Sequence, residues 1–383
     1  MVKPKVMTIY GTRPEAIKVA TVIEMLKRDE RFESIPVVTG QHREMLDQVN
    51  TMFDITPKHD LDLMIPGQPL NGIVSRAIAG IDALLVEEQP EIVIVQGDTS
   101  TAMAAAIAAF NRQVAVVHLE AGLRTGNIDS PFPEEANRKL ISQVATLHLA
   151  PTKRSRDNLF HESVEPSTIV VTGNTVIDAL LEASSWDTVP SDPAVAEAIA
   201  SGRPIILATT HRRENLGDSM GAVARALAKL AKKHPDHIVI LPMHRNPAVR
   251  EAVLPHLERK DNVIVTEPLP YAEFTKVMAA ARIILTDSGG VQEEAPSLGK
   301  PVLVMRDNTE RPEAVDAGTV RLVGTDYDRI VFEANHLLED EETYAAMANA
   351  VNPYGDGKAS ARSVAAIAAL LGVGEREPDF AVK

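Results

Sequence analysis

An α/β architecture of two Rossmann-like domains, each built on a parallel sheet and facing a deep cleft, is predicted by three observations. The chain has 383 residues, more than one hydrophobic core ordinarily organises at about 100–200 residues per domain. Its strand-like segments are short β-branched runs without polar alternation, the pattern of strands buried on both faces. They alternate with longer amphipathic stretches, as a parallel sheet requires. That alternation breaks off in a Pro- and Asp-containing interruption, Trp186 to Pro204, and then starts afresh.

The first strand is Val6-Met7-Thr8-Ile9-Tyr10, and a helix from Pro14 to Arg28 follows it. Ile35–Thr39, Glu91–Gln96, Val114–Leu119, Leu147–Ala150 and Thr168–Thr172 supply the remaining strands, with an Ala-rich helix at Thr101–Ala109. The first domain is therefore placed at residues 1–172, with a hinge near Thr172–Asn174 and a helix starting around Val176. The second domain, 173–359, reads as strands Ile205–Thr209, His237–Leu241, Asn262–Val265, Arg282–Thr286 and Pro301–Met305. A terminal helix from Ser360 to Leu371 is free to pack on either domain.

A net charge of −14 argues against broad contact with nucleic acid or an anionic membrane, which calls for surplus Lys and Arg. There is no cysteine, so disulfides, thiolate metal sites and cysteine nucleophiles are excluded together. Neither a signal-peptide core nor a stretch of about 18 uninterrupted apolar residues is present, and a cytoplasmic address is expected.

The chemistry-bearing residues cluster where strands end. The first strand runs into Gly11-Thr12-Arg13-Pro14-Glu15-Ala16-Ile17-Lys18. This places backbone amides, Arg13 and Lys18 at the carboxyl edge of the sheet, where open α/β folds bind ligands. It lacks the GxGxxG spacing of a dinucleotide site. Asp98 in Gln96-Gly97-Asp98-Thr99-Ser100 and Glu120 in Glu120-Ala121-Gly122-Leu123-Arg124 each follow an apolar strand, and Glu134 sits just before a helix. One such carboxylate is ordinarily a helix cap. Three on one edge repel one another and keep a proton donor beside an acceptor, or else hold Mg²⁺; without a tight DxD pair, acid/base work ranks first.

In the second half, His211, Arg212 and Arg213 follow a strand and suit a phosphate or a leaving oxygen, as His244 does after the next one. Thr286-Asp287-Ser288-Gly289-Gly290-Val291-Gln292-Glu293-Glu294 then turns sharply into a helix. Ser288, Gly289 and Gly290 let backbone approach a diphosphate, Glu294 suits ribose hydroxyls, and Arg306 and Arg311 add cations.

The segments GTRPEAIK, QHREMLDQV, GDTST, EAGLRTG, PFPEEANRKL, GNTVIDAL, HRREN, TDSGGVQEEAPSLGKPVLVMRDNTERPEAV and NPYGDG stand in the order of the non-hydrolysing UDP-N-acetylglucosamine 2-epimerases. The chain resembles that family from Val6 to about Gly357. The resemblance implies a glycosyltransferase B-type fold, with a C-terminal stretch at about 360–383 packing back on the first domain. It implies a homodimer that interconverts UDP-N-acetylglucosamine and UDP-N-acetylmannosamine, without cofactor or metal. The implied route eliminates UDP to 2-acetamidoglucal and adds it back.

By the same resemblance, Asp98, Glu120, Glu134 and His211 match the catalytic positions. Arg13, Lys18, Ser288, Gly289, Gly290, Glu294 and Arg311 match substrate contacts, and Leu269 and Phe274 match the uracil loop. Gln41, His42, Arg212 and His244 fall near a possible regulatory site for a second substrate molecule. There this chain has Glu44 in place of a Gln and Gly67 where an Arg is expected, changes that weaken an anion site. Gln96 also replaces the His that opens the family's HGDTTT segment.

Overall fold

Thirteen strands form two all-parallel sheets in the computed structural model, which describes residues 3–40, 43–63, 65, 67–210, 218–257, 260–309 and 311–382. The first sheet comprises β1 (Lys5–Tyr10), β2 (Glu33–Val38), β3 (His59–Asp60), β4 (Ile92–Gln96), β5 (Ala115–Leu119), β6 (Leu147–Ala150) and β7 (Ile169–Val171). The second comprises β8 (Ile205–Thr209), β9 (Ile238–Pro242), β10 (Val263–Thr266), β11 (Ala281–Thr286), β12 (Val302–Val304) and β13 (Val320–Leu322).

Strand order is β3-β2-β1-β4-β5-β6-β7 in one sheet and β10-β9-β8-β11-β12-β13 in the other. The same doubly wound order thus occurs twice without a readable sequence repeat. Successive crossovers change direction between β1 and β4, and again between β8 and β11. At such a switch point the loops after two neighbouring strands part and leave a crevice at their carboxyl ends.

The chain divides into two compact units, Met1–Ala179 with Tyr354–Ala381, and Leu180–Pro353 with Val382–Lys383. In the first, Met7, Ile9, Val93, Val95 and Val116 pack with Ile81, Leu84 and Ala105. The helix Ser100–Asn111 buries Ala102, Ala104, Ala105, Ala106, Ala108 and Ala109, because small side chains let it lie close to both the sheet and the helix Leu70–Glu88. In the second, Ile206, Ala208, Val239, Leu241 and Leu285 pack with Leu227, Leu230, Ile330 and Leu337. No helix among the described residues is long and apolar enough to cross a membrane.

The returning C-terminal segment is held to the first unit by polar contacts. Asn174 N donates to the Tyr354 carbonyl at 2.7 Å. Asp178 accepts from the amides of Ala359 and Ser360 at 3.1 and 2.8 Å, which supplies acceptors for donors at the start of the helix Ala359–Leu370. That helix packs on Arg13–Arg28, with Thr21 Oγ1 2.7 Å from Ser360 Oγ.

Candidate active site

In the first unit, the turns after β1, β4 and β5 are tied together by buried carboxylates. Thr12 caps the helix Arg13–Arg28 in a capping box with Glu15, and Pro14 occupies its first turn. Glu15 is buried and accepts from the amides of Gly11 (2.9 Å) and Thr12 (2.7 Å). Its other oxygen accepts from Thr99 Oγ1 at 2.7 Å, and Thr99 in turn caps the helix Ser100–Asn111. One carboxylate therefore spans the β1/β4 switch point, and burial raises its pKa against the pull of these hydrogen bonds.

Glu120 lies at the carboxyl end of β5 with φ +64°, a left-handed conformation that costs a residue with a Cβ about 1–2 kcal/mol. The turn continues into Gly122, φ +92°, where a Cβ would stand 2.2 Å from the Ser155 carbonyl oxygen. The conformation aims the Glu120 carboxylate at three donors from three segments. Lys18 Nζ donates to Oε1 and Gln96 Nε2 to Oε2, while Asn174 Nδ2 donates to Oε1 at 3.1 Å.

Asp98 follows Gly97, itself at φ +69°, and the Gly97 carbonyl accepts from His118 Nε2 at 2.7 Å. Burial holds the His118 imidazole down to about 3, so it stays neutral as that donor. Arg138 reaches Asp98 Oδ2 through Nε at 2.8 Å and Nη2 at 2.7 Å, and Asn137 Nδ2 donates to the Asp98 carbonyl at 2.8 Å. Burial raises the Asp98 carboxyl, Arg138 lowers it, and the charge of Glu120 raises it again, for a net shift above the usual range. This is a carboxyl biased toward keeping its proton next to a second carboxyl engaged by a cation.

Glu134 opens the helix Glu134–Val144 and is half-buried, and no pairing of its side chain is found among the described residues. Its neighbour Glu135 turns inward, accepting from Thr125 N and Gly126 N at 3.1–3.2 Å and from Arg138 Nη1 at 2.9 Å.

In the second unit, Asp287 is fully buried at the end of β11 and accepts from Thr210 Oγ1 at 3.1 Å. Arg311 donates from Nε to the buried Glu293 at 2.6 Å. This fixes its guanidinium against Gly289, where a Cβ would lie 2.5 Å from Nη1. A side chain at that position would displace the Arg311 guanidinium. Glu294 is buried and accepts from Tyr271 Oη at 2.7 Å, while Ser288 and Gly290 are half-buried in the same turn. Leu269 is buried just before the helix Tyr271–Ala280, which carries the half-buried Phe274.

His211, Arg212, Gln41 and His42 lie outside the described residues. His244 is exposed in the loop after β9, its Nδ1 accepting from Asn246 N at 3.1 Å. Several supporting residues escaped the motif reading: Glu15 resembles an ordinary first-turn helix acid, and Gln96, Arg138 and Asn174 lie in segments whose convergence only the sheet order creates. Gln96 was visible only as the last residue of an apolar strand and as a departure from the family's HGDTTT segment, not as a partner of Glu120. Among the described residues, the cluster of metal-ligating type is His234, Asp236 and His237, at the amino end of β9 rather than at this edge.

A family model described as UDP-N-acetylglucosamine 2-epimerase matches residues 24–368. The chain is 51% identical over 372 residues to the UDP-N-acetylglucosamine 2-epimerase of Escherichia coli strain K12, covering 95% of this chain and 98% of that one. It is similar to the crystal structure of UDP-GlcNAc 2-epimerase from Neisseria meningitidis bound to UDP-GlcNAc, at 45% identity, 96% and 100% coverage and a TM-score of 0.86. The S. aureus MnaA–UDP co-structure is 44% identical, with 99% and 100% coverage and a TM-score of 0.88.

Proposed function

The chain belongs to the UDP-N-acetylglucosamine 2-epimerase family, and on that premise we propose that it interconverts UDP-N-acetylglucosamine and UDP-N-acetylmannosamine by inverting C2. The observation that carries the reading is the pairing of Asp98 with Glu120. One carboxyl is pushed toward its protonated form by burial and by its neighbour's charge, and the other is held by Lys18, Gln96 and Asn174. Removing a weakly acidic C2 proton needs a positioned acceptor, and returning one from the opposite face needs a donor.

The route is elimination and re-addition. The C2–H pair becomes the C1=C2 bond of 2-acetamidoglucal as the C1–O bond breaks, and UDP departs with that electron pair. C2 then takes a proton on its other face while a UDP oxygen re-forms the bond to C1, so no oxidant or reductant is consumed. Asp98, Glu120 and Glu134 serve as the acid/base groups, with Arg13 and Lys18 beside the sugar nucleotide. His211 and Arg311 face charge on the departing diphosphate, Glu294 the ribose, and Leu269 and Phe274 the uracil. The family resemblance supports this assignment and also a cytoplasmic homodimer.

The test is incubation of the purified protein with UDP-N-acetylglucosamine alone, followed by proton NMR. UDP-N-acetylmannosamine is expected to accumulate to an equilibrium approached equally from either side. Free N-acetylmannosamine with UDP would instead mark a hydrolysing enzyme, and an unchanged substrate would remove the proposal.

A further inference from the structure

The turn His234-Pro235-Asp236-His237 joins the helix Asp218–Lys233 to β9, at the end of the second sheet opposite to Asp287 and Arg311. Epimerisation makes no use of it. We propose that this turn is a binding site for a divalent cation of the zinc class, held by one ring nitrogen each of His234 and His237 and by the Asp236 carboxylate.

Ligand atoms of the three residues all lie within 4.8 Å of one another. On a tetrahedral zinc ion with bonds of about 2.0–2.1 Å, ligand atoms stand roughly 3.4 Å apart. His237 Nδ1 and Asp236 Oδ1, at 3.1 Å, are already near that separation. His237 is buried; a proton on Nδ1 can bridge this pair, and a metal ion at the same place would take that proton's role. Two imidazoles and one carboxylate, with no thiolate, suit Zn²⁺, Co²⁺ or Ni²⁺ rather than Mg²⁺.

The backbone is set in advance. His237 N donates to the His234 carbonyl at 3.0 Å. Arg203 donates to the carbonyls of Pro235 (2.9 Å), Asp236 (3.1 Å) and His237 (3.3 Å). Asn262 Nδ2 donates to those of His234 (3.3 Å) and His237 (2.9 Å). All four carbonyls of the turn are therefore pinned, and little chain entropy remains to be lost on binding. Asn335 Oδ1, 2.7 Å from His234 Nε2, steadies the first ring.

The test is calorimetric titration of the chelator-stripped full chain with ZnCl₂ at neutral pH, beside H237A, D236N and the exposed-histidine control H161A. Wild type and H161A are expected to bind one equivalent, with Mg²⁺ giving no signal, and H237A and D236N to bind at least tenfold more weakly. Turnover of UDP-N-acetylglucosamine should be the same in stripped wild type and D236N. Because Asp236 is exposed, D236N decides the matter even where H237A does not fold. Failure of the wild type to bind, or equal affinity in D236N, overturns the proposal.

Discussion

Arg138 grips Asp98 with one edge of its guanidinium, Nε at 2.8 Å and Nη2 at 2.7 Å from Oδ2, and holds Glu135 with the remaining Nη1 at 2.9 Å. The fork makes Arg138 a positioning residue, since a planar donor set can satisfy both acids in one geometry and a lysine cannot. R138K is expected to lower turnover by about 10–100-fold, in line with the contribution of an oriented acid/base group, with KM changed less. Arg138 lowers the Asp98 carboxyl, so weakening that contact should move the Asp98 limb of the pH–rate profile to higher pH. A profile that falls in height without moving would assign Arg138 a purely structural role.

E120Q and D98N keep the size and much of the hydrogen bonding of each side chain while removing proton transfer. Each is expected to lose roughly 10²–10⁴-fold or more in turnover, while calorimetry with UDP shows affinity within about threefold of wild type. Near-wild-type rates in either variant would remove that residue from the acid/base pair.

Gly289 leaves room for Arg311, and an added methyl would meet Nη1 at 2.5 Å. The guanidinium, held by Glu293, must shift. G289A is therefore expected to weaken UDP binding about tenfold, roughly the loss of one charge-assisted contact. Unchanged UDP affinity would place Arg311 away from the diphosphate.

The amino end of the first sheet has its own electrostatic signature. Burial pushes the Glu88 carboxyl up, but hydrogen bonds from Lys58 at 2.9 Å and His59 at 2.6 Å outweigh it and bring the value from 4.5 down to about 2. A carboxyl whose folded value is depressed contributes stability above its unfolded value, and this is lost as pH falls from about 4.5 toward about 2. E88Q should thus destabilise clearly at pH 7 and far less near pH 2.5, as measured by denaturant unfolding of both proteins at each pH. An equal loss at both would assign the effect to packing.

Most strands were legible because a parallel sheet buries both faces, so that Ile92–Val95 or Ile205–Ala208 must be apolar throughout. The two strands left unread are the exceptions to that rule. His59–Asp60 is two residues of polar edge, and Val320–Leu322 is an edge strand with an arginine at its centre. The position of Asp98 and Glu120 at strand ends was likewise readable. What surrounds Glu120 was not, because Lys18, Gln96 and Asn174 come from a helix, a strand end and a loop 102, 24 and 54 residues away. Glu15 and Glu135 were hidden for another reason: a buried acid accepting backbone amides has the same sequence context as an exposed first-turn acid.

The most direct measurement runs the reaction in deuterated water and follows C2 by NMR. UDP-N-acetylmannosamine formed from UDP-N-acetylglucosamine should carry deuterium at C2, and neither D98N nor E120Q should exchange that position at more than a small fraction of the wild-type rate. Product formed with the original proton retained at C2 in full would contradict inversion by solvent-exchanging carboxyl groups at this site.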